Sequence, residues 1–249
     1  MSIITPDTYD EFDPARIVFE PAKQFTSTTG GKFHRIFIKY RYDDDVIGAL
    51  VVQTPILMTW GVSLGKAFDG SEGGGAPQMS LVSYNSDKGP TDEERTYIEI
   101  CGQILAAIKA HMNAEPTKEE LDKWDMASDV SALKVFYVKM ERGKPVKGYP
   151  PTVYAKLYYE KPKDGGELVV TTRISDAKTG EELPQQPRLG AAQVYASLIF
   201  SNIFVGAKPS IQTRIGESLI CAAFLQLRGK HGSGVPARAQ MQTCIGNRQ

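Results

Sequence analysis

Residues 32–42 read KFHRIFIKYRY. Apolar or aromatic side chains alternate with basic ones, the period of two that sends successive side chains to opposite faces of a β-strand. Turn signals bracket the run, with Gly30–Gly31 before it and Asp43–Asp45 after it. On that period Phe33, Arg35, Phe37 and Lys39 share one face, and Lys32, His34, Ile36 and Ile38 share the other. Neither face is purely apolar, so the segment reads as a strand that has something to do besides close a core.

Working outward, Val46 to Met58 reads as a second strand, with Pro55 near its end and therefore at a sheet edge, where a missing N–H does least harm. Residues 61–77, GVSLGKAFDGSEGGGAP, lack periodicity and hold four glycines between Gly70 and Gly75, the composition of a mobile loop. A strand resumes from Met79 to Tyr84. Thr91 and Glu94 have capping-box spacing, and Tyr97, Cys101, Ile104, Leu105 and Ile108 fall on one face of a helix ending near Asn113. A short second helix is expected from Lys118 to Trp124. Further strands are expected at Leu133 to Met140, Val153 to Glu160, Leu168 to Ile174 and Gln193 to Val205. Ile211 to Leu227 suits a strand followed by a C-terminal helix, and from Gly229 onward the sequence reads as a loosely ordered basic tail. No repeat and no linker divides residues 1–249, so the expectation is a single mainly β (α+β) domain.

Composition narrows the function classes. A chain of 249 residues with 41% hydrophobic and 23% charged residues is ordinary for a folded domain. The longest apolar runs, Val46 to Leu57 and Leu198 to Val205, fall short of the ~20 residues that span a bilayer, and the acidic N-terminus lacks the layout of a secretory signal. The expectation is a soluble intracellular protein with no membrane partner. Cys101, Cys221 and Cys244 are distant and odd in number, which supports neither a disulfide framework nor a zinc site. The net charge is zero, yet residues 131–249 hold 17 Lys/Arg against 8 Asp/Glu, and residues 1–130 hold 12 against 21. Such a division either marks a polyanion-binding face or cancels across the fold.

Catalytic patterns are missing. His34, His111 and His231 sit in no recognisable nucleophile–base motif. Residues 61–66, GVSLGK, place three residues between the glycines where a phosphate loop needs four, and Ala67 stands where a Ser or Thr should hold magnesium. Asp43–Asp45 lacks the spacing of a calcium loop. No cofactor, metal or reaction is expected. What is present is basic–aromatic interleaving. It occurs once in residues 32–42 and again from Lys134 to Lys163, where eight Lys/Arg face only Glu141 and Glu160 among Phe136, Tyr137, Tyr149, Tyr154, Tyr158 and Tyr159. Single-stranded nucleic acid suits this combination: cations track phosphates while aromatic faces stack on unpaired bases, at ~1–3 kcal/mol per base.

The order of features resembles the OB-fold single-stranded-DNA-binding proteins of nucleocytoplasmic large DNA viruses. The resemblance rests on Gln53-Thr54-Pro55 running into Trp60-Gly61-Val62-Ser63, on Met79 to Tyr84 followed by the helix from Thr91 to Asn113, on Tyr149 to Tyr159, and on Leu198 to Ile220 with Gly206-Ala207-Lys208-Pro209-Ser210-Ile211-Gln212. It implies an OB-like antiparallel barrel with one main helix and long loops. It also implies coating of exposed strands in viral replication, recombination or repair, in the host cytoplasm or nucleus, with replication proteins and further copies of the chain as partners. Where some related proteins end in an acidic tail, this chain ends with Lys230, His231, Arg238 and Arg248, so recruitment through such a tail is not expected.

The reading is therefore sequence-tolerant single-stranded DNA binding. Lys32, Arg35, Lys39, Arg41, Lys134, Lys139, Lys144, Lys147 and Lys156 are the expected phosphate contacts, and Phe37, Tyr40, Trp60, Tyr154 and Tyr158 the expected stacking residues. The alternative is a non-enzymatic structural or assembly component of a virus particle, packing through an edge strand and the loop around Gly73–Gly75.

Overall fold

The structure, a computed structural model, describes residues 3–27, 30–65, 75–123, 129–161, 168–183, 190–206 and 208–223. Its strands are β1 (Ile17–Phe19), β2 (Lys23–Thr26), β3 (Lys32–Asp43), β4 (Val46–Gln53), β5 (Leu57–Thr59), β6 (Val62–Leu64), β7 (Pro77–Val82), β8 (Met140–Glu141), β9 (Lys144–Pro145), β10 (Thr152–Lys156), β11 (Tyr159–Glu160), β12 (Val169–Val170), β13 (Arg173–Asp176), β14 (Ala192–Val205) and β15 (Ser210–Ala223). Among the described residues two α-helices, α1 (Asp92–Asn113) and α2 (Glu115–Asp122), lie between β7 and β8.

Five strands close into a barrel. β5 pairs with β7, β7 with β10, β10 with β15, β15 with β14, and β14 returns to β5. Every contact in the ring is antiparallel except β10 with β15, which run parallel and meet at a single register, Lys156 opposite Arg214. This is an OB-like Greek-key barrel. The long strand β14 organises the rest. One edge carries β15 along nearly its whole length, while the other carries β5, β4 and β3 in turn.

Pro55 explains why β4 and β5 are two strands rather than one. It is buried between them, not at an edge as the sequence suggested, because both pieces pair with the same partner. Thr54 bridges the break: its N–H donates to the Ala196 carbonyl (2.9 Å) and its Oγ1 accepts from the Ala196 N–H (3.1 Å). A residue lacking its own N–H is thereby tolerated inside a sheet.

The helix over Asp92–Asn113 forms as its sequence predicts, with both hydrogen bonds of the Thr91–Glu94 capping box present. It buries Tyr97, Ile100, Cys101, Ile104, Ile108 and Met112 against the sheet. Burial pushes the Cys101 thiol up to about 12, which keeps it protonated and inert. The second helix runs over Glu115–Asp122, three residues earlier than expected, because Pro116 is accommodated in its first turn instead of ending the preceding one.

Other expectations need correction. Leu133 to Met140 is not one strand: Leu133 and Val135 are buried, Tyr137 makes an isolated bridge to Thr152, and only Met140 enters a strand, β8, so alternation there reflects an anchored loop. Val153 to Glu160 and Leu168 to Ile174 are each split into short strands. Residues 62–64 of the expected glycine-rich loop form β6; residues 66–74 of it lie outside the described residues. Within Ile211 to Leu227 the described part is all strand, and residues 224–249, including the expected helix and basic tail, lie outside the described residues. Among the described residues no helix is long and apolar enough to cross a membrane.

Candidate nucleic-acid interface

The alternation of β3 resolves cleanly. His34, Ile36, Ile38 and Tyr40 are buried, and Phe33, Arg35, Phe37 and Lys39 lie half-buried on the outer face. Register then determines their neighbours. β2 sets Phe25 opposite Phe33 and Lys23 opposite Arg35, while β14 sets Phe204 opposite Arg35 and Asn202 opposite Phe37. The result is a platform of rings. Phe25 and Phe33 stack at 5.7 Å, Phe25 meets Phe37 edge-on at 6.3 Å, and Phe33 lies 5.2 Å from Phe204. Cations sit on it, with the Arg35 guanidinium 5.0 and 5.1 Å from the Phe25 and Phe33 centroids and Lys23 Nζ 5.4 Å from Phe37. Gly206 permits this geometry, since a Cβ there would lie 2.7 Å from a Phe204 ring carbon.

Beside the platform, β15 brings Gln212 opposite Asn202 and β10 brings Lys156 next to Arg214. Lys156 Nζ donates to Gln212 Oε1 (2.6 Å), and Gln212 Nε2 donates to Ser210 Oγ (2.8 Å). Arg214 covers the ring of Tyr158 at 5.1 Å. Burial, then Arg214, then Arg35 hold the Lys156 ammonium below its usual value. Among the described residues the ion pairs are Lys23 and Lys39 with Glu20, Arg95 with Asp92 and Lys118 with Glu115, so none of Arg35, Lys156 and Arg214 is ion-paired there, while Lys156 lies close enough to both guanidiniums to be repelled by them. Arg35 Nε has no hydrogen-bond partner among the described residues. Three neighbouring cations with no ion-pair partner among the described residues make this a locally electropositive patch.

The expected site residues divide into several groups. Arg35, Phe37, Lys156 and Tyr158 belong to the surface just described. Lys134 and Tyr154 form a second group with Tyr137: Lys134 Nζ is 5.2 Å over the Tyr137 ring, and that ring meets Tyr154 edge-on at 5.8 Å. Lys139, Lys144 and Lys147 are exposed on and beside the β8–β9 hairpin, where Lys139 caps Tyr149 at 3.9 Å. Lys32 and Arg41 are exposed towards the two ends of β3, and Lys39 is 3.8 Å from Glu20, which partly neutralises it. Trp60 is 64% exposed but borders a separate groove of about 440 Å³ with Ile56, Met58 and Tyr84.

One expected residue leaves the surface altogether. Tyr40 is 3% exposed, packs on Phe12 and Tyr42, and accepts a hydrogen bond from the Asp13 N–H, so it is a core residue and cannot stack on a base. The strand period decides this, because the even-numbered side chains from His34 to Tyr40 point inward. Phe25, Phe204, Gln212 and Arg214 were missed. The last three lie in runs that read as uniformly apolar or of uncertain type, and only the register of β14 with β3 and β15 gathers them beside Arg35.

The model of the family described as "Protein of unknown function (DUF2738)" matches residues 11–248. The chain is similar to the "Early 31 kDa protein" of Frog virus 3 (isolate Goorha), with 29% identity over 207 residues that cover 82% of this chain and 75% of that protein. Among solved structures it is similar to gp2.5, a single-stranded DNA binding protein encoded by bacteriophage T7, with a TM-score of 0.34 and 10% identity, covering 74% of this chain and 98% of that one.

Proposed function

This chain belongs to the DUF2738 family, and we propose that it binds single-stranded DNA with little sequence preference and catalyses no reaction. The observation that carries the reading is the Arg35–Lys156–Arg214 cluster, unneutralised among the described residues and contiguous with the phenylalanine platform. Phosphates supply the missing negative charge, and the half-exposed rings supply stacking surface that every base can use. A duplex offers the same phosphates but keeps its bases stacked on one another, so the rings favour unpaired strands. The similarity to an early protein of a virus supports a use in coating strands exposed during viral replication, recombination or repair inside the host cell.

Fluorescence anisotropy with labelled single-stranded and duplex oligonucleotides of equal length, across a salt series, tests this. The expected result is preference for the single strand and a steep fall of affinity with salt, with roughly 0.7 units of the log–log slope lost for each phosphate contact removed. The triple variant Arg35→Gln, Lys156→Gln, Arg214→Gln is expected to flatten that slope by ~2. Equal affinity for duplex, or a slope unmoved by the triple variant, would sink the reading.

A further inference from the structure

β10 and β15 pair at a single register, Lys156 opposite Arg214. On the N-terminal side of that contact a cavity of about 250 Å³ is lined by Thr152 and Tyr154 of β10, Ser210 and Thr213 of β15, and Lys134 and Tyr137. We propose that this cavity is a nucleobase pocket, taking one unstacked base of the bound strand while the adjoining phosphate lies on Lys156; this deepens the single-strand reading above and rests on it.

Size, shape and polarity agree. The volume equals that of about eight waters and lies below the ~300–1,000 Å³ of drug-sized sites, which suits a single planar ring system. Tyr137 and Tyr154 are 45% and 44% exposed and stand nearly perpendicular, at 73°, so one can offer a face to a base while the other meets its edge. Lys134 over Tyr137 fixes that ring and adds a positive charge at the mouth. Hydroxyls provide hydrogen bonds without demanding a particular base. Ser210 Oγ already accepts from Gln212, which leaves its proton to donate, and Thr213 reaches the Tyr154 carbonyl only at 3.5 Å. Gln212 couples the two parts, because the same amide accepts from Lys156 and donates to Ser210, so phosphate cluster and cavity wall are two hydrogen bonds apart. Thr152, by contrast, spends its hydroxyl on the Pro150 carbonyl.

The experiment compares ordinary oligonucleotides with ones carrying abasic residues, using full-length protein and the variants Tyr137→Ala and Tyr154→Ala. For wild type, abasic substitution is expected to weaken binding about 5- to 150-fold, the range of a lost stack. Each variant is expected to weaken binding of the ordinary strand by a similar factor and to shrink the abasic penalty, with the salt slope unchanged. Photocrosslinking with 5-iodouracil strands, read by peptide mapping, is expected to label Tyr137 or Tyr154. Single-strand binding with the same abasic penalty in wild type and variants, or crosslinks confined to Trp60, overturns the pocket and leaves the proposed function standing. Absence of single-strand binding overturns both.

Discussion

Lys156 shows how a side chain's surroundings set its energetics. Burial and two guanidiniums hold it below its usual 10.5, so the folded protein releases that proton at lower pH than the unfolded chain does. Between the lowered value and 10.5 the unfolded state binds more protons, and stability rises with pH across that window. Below it, the charged form is carried at a cost that a bound anion would relieve. Lys156→Met is therefore expected to leave stability at pH 7 unchanged or raised by up to ~1 kcal/mol. The variant should also lose the alkaline rise seen when denaturation midpoints are measured from pH 7 to 11. A clear loss of stability at pH 7 would mean that the hydrogen bond to Gln212 outweighs the repulsion. Arg35 was readable as a surface cation from the period of residues 32–42 alone. Arg214 was not, because a lone cation in residues 211–223, which hold only Glu217 as a further charge, gives no sign of which strand faces it.

Elements declare themselves when their signals are local. The Thr91–Glu94 box, three acidic residues in the first turn and a buried stripe at helical spacing make α1 readable within a residue of its observed ends. Replacing Thr91 with Ala is expected to cost about 1 kcal/mol and to lower Tm by roughly 2–4 °C in a calorimetric scan, with single-strand affinity unchanged. A fall in affinity would instead connect that helix to the binding surface. Strands such as β10 to β13 were blurred because each is two to five residues long and is ended by tertiary pairing rather than by a turn signal of its own. Pro55 misled for the same reason. Its cost depends on whether a neighbour such as Thr54 can cover the break, and that neighbour's partner, Ala196, lies about 140 residues away.

At the scale of the molecule, the barrel is one core. Phe200 is fully buried on β14, between β4 and β15. Phe200→Ala is expected to destabilise by ~3–5 kcal/mol, read as a lower urea midpoint with an unchanged slope of free energy against denaturant. A shallower slope would show that part of the barrel unfolds separately. The fold class was readable because mixed-face strands, turns and one capped helix leave few architectures open. The surface was only partly readable, because β14 joins residues far apart in sequence. That same strand sets the order of events on the ribosome. Some 140 residues separate Gln53, the end of β4, from Ala192, the start of β14. At ~5–20 residues per second, the early hairpin waits roughly 7–30 s for its partner. Throughout that interval the buried side chains Leu50, Val51 and Val52 and the unpaired backbone beside them are open to any other strand in the cell. A message cut short before β14 is therefore expected to encode a fragment that aggregates rather than a smaller working protein.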